Sequence, residues 1–113
     1  MKTSELTGAA LDWAVVYAQH DKVLEPAVNY WLERYVDPER RYMCESPSIN
    51  WSQGGPIIER ESINLVKMHG HEWHADCGKV ATGPTPLIAA MRCYVASKLG
   101  DEVEIPEELK CTT

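Results

Sequence analysis

The chain has 113 residues, 44% of them apolar, and a formal net charge of -6, which suits one hydrophobic core and leaves no length for a second sizeable one. Four Trp and five Tyr beside 7 Gly and 7 Pro argue against wholesale disorder. No run nears the roughly 18 apolar residues of a membrane span, no secretory apolar core follows residues 1–5, and the scattered basic residues Arg40-Arg41 and Arg60 argue against direct nucleic-acid binding.

In chain order, Lys2-Thr3-Ser4-Glu5-Leu6 has the length of a short edge strand. Residues 7–19 read as a helix, with Thr7 as N-cap and Leu11, Ala14, Val15 and Ala18 at helical spacing beside Trp13 and Tyr17. A second helical pattern begins at Pro26, carries Val28, Trp31, Leu32 and Tyr35 on one face, and stops near Asp37-Pro38. Periodicity is lost over residues 39–55, a long connection that Trp51 would anchor and Gly54-Gly55-Pro56 would end. Pro56 then opens a short helix through Ile57-Ile58-Glu59-Arg60-Glu61.

Ile63 to Val66 and Glu72 to Cys77 alternate as partner strands joined through His69-Gly70-His71. The alternation turns Trp73 inward with His71, Ala75 and Cys77, and puts Glu72, His74 and Asp76 on the other face. Lys79 to Gly83 leads to the clearest helix, residues 85–99, with Thr85 as cap, Pro86 first, an apolar stripe of Leu87, Ile88, Met91, Val95 and Leu99, and Gly100 as stop. Residues 101–113 carry five acids against one Lys and read as a short outer strand or an acidic tail. The expected architecture is one α+β domain, a small antiparallel sheet or hairpin packed by an N-terminal helix and the long helix of the C-terminal half.

Three blocks also carry a resemblance: Met1 to Val15, Trp51-Ser52-Gln53-Gly54-Gly55-Pro56-Ile57-Ile58-Glu59-Arg60-Glu61, and Gly83-Pro84-Thr85-Pro86 through Gly100. In this order they resemble the signature blocks of the NinX-like family of tailed bacteriophages and prophages. The resemblance implies a small accessory protein made in the host bacterial cytoplasm, and it transfers no biochemical activity. The histidines near Trp73 are not carried by it.

Several groups qualify as chemical candidates on residue type alone. His71, His74, Asp76 and Cys77 are suitable metal ligands, but their spacing matches neither HExxH nor a paired CxxC module, and a strand would divide them between two faces. The serines lie in no nucleophile motif, and Gly54-Gly55-Pro56 lacks the Lys-Ser/Thr ending of a phosphate loop. Cys44, Cys77, Cys93 and Cys111 are expected as free thiols in a reducing compartment, with Cys93 in the core or on a helix side. No cofactor is called for. The residues favour a recognition surface made of Trp51, Gln53, Glu59, Arg60 and Arg92, an aromatic anchor with a polar rim, for an unidentified host or phage protein or for a second copy of the chain. A small hydrolase or a metal-dependent enzyme using the histidine-rich hairpin is the alternative.

Overall fold

Thr85 is extended, and its hydroxyl accepts the Ile88 N–H at 3.1 Å, so the chain enters a helix at Pro86, where a missing N–H costs nothing. That helix, Pro86–Leu99, ends where Gly100 takes a φ of 92°. In this computed structural model, which describes residues 1–19 and 46–105, it is the third helix, α3. It follows α1 (Gly8–Gln19), α2 (Trp51–Arg60) and three strands, β1 (Asn64–Lys67), β2 (Trp73–Asp76) and β3 (Val80–Gly83). The second helical pattern, from Pro26, and the acidic stretch after Ile105 lie outside the described residues.

The strands form an antiparallel sheet in the order β1-β2-β3. Leu65, Ala75 and Ala81 stand opposite one another, as do Lys67, Trp73 and Gly83. Ala75 is buried and Trp73 packs half-buried on the core, while Asp76 is exposed, which agrees with the alternation expected for β2. β3 carries no such alternation, since Val80 is exposed and Gly83 buried, and its place comes from pairing with β2.

A single stripe does not describe α3. Nine of its 14 residues are buried, so it is enclosed on nearly every side, touching the sheet, α1, α2 and the turn at Thr3–Glu5. Small residues permit this: a Cβ on Gly83 would fall 2.8 Å from the Ala89 nitrogen, so the strand end and helix meet only because Gly83 has none. The α+β expectation holds, with a third strand and the long helix as the central element.

Two local readings need correction. The segment expected as an edge strand forms a 3-10 turn, Thr3–Glu5, and only Lys2 makes a bridge, to Glu102. The helix expected to open at Pro56 begins five residues earlier. Asn50 is extended and its Oδ1 accepts the Ser52 N–H at 3.0 Å, while its carbonyl accepts the amides of Gln53 and Gly54. Asn50 is therefore the cap, and Gly54-Gly55-Pro56 lies within α2. The helix ends at Arg60 with Glu61 as its cap, and the φ of 54° at Ser62 lets the Ile63 N–H return to the Ile58 carbonyl at 3.0 Å.

Candidate functional site

Trp51 opens α2 and stays 55% exposed, beside Ile49 at 56%. At about 100° per residue, Trp51, Ser52, Gly55, Pro56 and Glu59 share one outward arc, with Arg60 at its edge. Ile57 and Gly54 take the buried side. Trp51 and Glu59 thus belong to one helix face, whereas Arg60, about 180° around the helix from Trp51, turns toward Tyr94.

At the C-terminal end of that helix, Arg60 Nε donates to Glu61 Oε2 at 3.0 Å, and Lys98 Nζ stands 3.4 Å from Glu61 Oε1. Arg60, and then Lys98, hold the Glu61 carboxyl below its usual pKa, and Glu61 in turn raises that of Arg60. The Arg60 guanidinium lies 6.0 Å and the Lys98 ammonium 5.9 Å from the Tyr94 ring centre, within reach of the ring's negative quadrupole. Because Arg60 is half exposed, screening keeps this network weak, roughly 0–1 kcal/mol per pair.

Gln53 and Arg92 do other work. The Gln53 Oε1 accepts the Ser46 N–H, fastening residues 46–50 across the base of α2. The same segment is held from below by Asp12, a fully buried carboxylate whose Oδ1 accepts the Ser48 N–H at 2.8 Å. Arg92 is 9% exposed and sits roughly 160° around α3 from Tyr94. Its Nε donates to the Leu6 carbonyl at 2.8 Å and its Nη1 to the Thr82 carbonyl at 2.9 Å. The structure does not bring Arg92 to the side of α3 where Tyr94 meets Arg60. Burial lowers its pKa, yet a guanidinium remains charged at any ordinary pH.

The residues suited to metal by type alone separate. The His74 Nε2 faces Glu72 Oε1 at 3.3 Å, Asp76 Oδ1 accepts the Gly78 N–H at 2.9 Å, and Cys77 turns inward to Cys93. Among the described residues no three His, Cys, Asp or Glu side chains are grouped so as to hold a metal ion. The Cys77–Cys93 proximity went unread because the residues are 16 apart and lie on different elements.

Depressions border Arg92 on two sides. One, of about 250 Å³, is lined by Lys2, Thr3, Val80, Ala81 and Asp101, and a shallower one by His71, Glu72 and Pro84. Among the described residues, no helix is long and apolar enough to cross a membrane.

Comparison with curated proteins returns no match. The family model described as Bacteriophage P22, NinX matches residues 2–98, which takes in every described element but the last residue of α3. The chain belongs to the NinX family of bacteriophage accessory proteins.

Proposed function

We propose that this chain acts in the host cytoplasm by binding another protein, of host or phage origin, through the outward face of α2. The observation that carries this is the pair of half-exposed apolar side chains, Ile49 and Trp51, at the start of a capped helix. Tryptophan buries a large area for little lost side-chain entropy, and anchors of this kind dominate protein interfaces when a polar rim surrounds them. Glu59 and the Arg60–Glu61–Lys98 network supply that rim.

The test is affinity capture from phage-infected cells with wild type, Trp51→Ala, Arg60→Ala and Val80→Ala, each checked for an unchanged fold. Val80 is the control, an apolar side chain 64% exposed on the sheet. Trp51→Ala is expected to weaken the captured complex by about 2 kcal/mol or more, Arg60→Ala by under about 1, and Val80→Ala not at all. Equal capture by Trp51→Ala and wild type rules out this face. A Trp51-dependent change in self-association, with no other protein retained, makes a second copy of the chain the partner.

A further inference from the structure

Cys77 follows β2 at the turn into β3, and Cys93 lies midway along α3. Packing the sheet on the helix sets their sulfurs 2.9 Å apart, within about 1 Å of the roughly 2.05 Å bond length of a disulfide. Their environments differ. Cys93 is fully buried and donates to the Lys79 carbonyl at 3.1 Å, whereas Cys77 is half-buried at a turn whose next residue, Gly78, has a φ of 107°.

We propose that Cys77 and Cys93 are a reversible oxidation site, closing to a disulfide when a peroxide reaches Cys77. In the first step the Cys77 thiolate attacks one peroxide oxygen. The O–O bond breaks, the second oxygen leaves as water or an alcohol, and Cys77 becomes a sulfenic acid. Cys93 then attacks the Cys77 sulfur, an S–S bond replaces the S–O bond, and the departing hydroxide takes the Cys93 proton and leaves as water. Two thiols lose two electrons and two protons, and the peroxide gains both. A dithiol reductant reverses the change by thiol–disulfide exchange.

The two positions divide the roles. Burial, together with Cys77, pushes the Cys93 thiol up to about 12, so it stays protonated and is a poor first target for oxidant. Its sulfur is nevertheless already in contact with the one that is attacked. Closure would tie the β2–β3 turn to the central helix.

The experiment treats the reduced full chain with hydrogen peroxide, alkylates the remaining thiols, and maps disulfides by proteolysis and mass spectrometry. Expected is a Cys77–Cys93 linked peptide that dithiothreitol releases, with a Tm several degrees above that of the reduced protein. Replacing Cys44 and Cys111 by serine should leave the link intact. Cys93→Ser should leave Cys77 as a sulfenic acid that dimedone traps. The inference is overturned if Cys77 and Cys93 in the wild-type chain stay alkylatable under peroxide, if Cys77 goes directly to sulfinic acid, or if it pairs with Cys44 or Cys111 instead.

Discussion

A methyl group at position 54 has nowhere to go. Built there, it would fall 2.5 Å from the Pro47 carbonyl oxygen and 2.6 Å from Leu87 Cδ2, whereas one at Gly55 meets nothing within 4 Å. Both glycines sit inside α2, where alanine is intrinsically better by up to about 1 kcal/mol. Gly55→Ala is therefore expected to raise the denaturation midpoint. Gly54→Ala should lower it, because overpacking costs about 1 to 3 kcal/mol and outweighs the propensity gain. Equal shifts of the same sign would mean that α2 does not press on Pro47 and Leu87. Gly-Gly-Pro signals a turn in most sequences, and the close approach of a segment to this helix is not written in neighbouring residues. Trp51, expected within a long aperiodic connection, stands exposed on the first turn of α2. Arg92, a charge within an apolar helix, suggested a surface position because its acceptors, the Leu6 and Thr82 carbonyls, lie 86 and 10 residues away.

Elements were legible where local chemistry decides them. Thr85, Pro86 and Gly100 bound α3 in sequence as they do in the fold, and removing the Thr85 hydroxyl tests that directly. Thr85→Ala should cost about 1 kcal/mol, the usual worth of an N-cap, seen as a lower urea midpoint with an unchanged slope. No loss would show that the Ile88 amide finds another acceptor. The β2 alternation was equally clear, since Trp73 and Ala75 turn to the core and Asp76 to solvent. β3 was not, because four residues ending in glycine offer no period and gain strand geometry only from the neighbouring β2. The start of α2 was missed for a related reason: Asn50 is a good cap, but Pro56 offered a louder and competing first-turn signal.

Across the whole molecule, Arg92 joins three parts, reaching from α3 to the turn before α1 and to the sheet. Arg92→Ala would leave two carbonyls without their donor, at about 1 to 3 kcal/mol for each one that water does not reach. The expected loss is about 2 kcal/mol or more of unfolding free energy, measured by urea titration. A change within about 0.5 kcal/mol would mark the residue as a surface-type position. Such long-range ties also set a timetable. The buried face of α1, with Leu11, Ala14 and Val15, shares one core with Met91 and Val95 of α3, and about 80 residues separate Leu11 from Met91. At roughly 5 to 20 residues per second, α1 waits about 4 to 16 s after its own synthesis before α3, the element that covers it most among the described residues, is made. The apolar face of α1 is thus made well before the α3 side chains that share its core, an interval in which it is open to premature aggregation and to capture by holding chaperones.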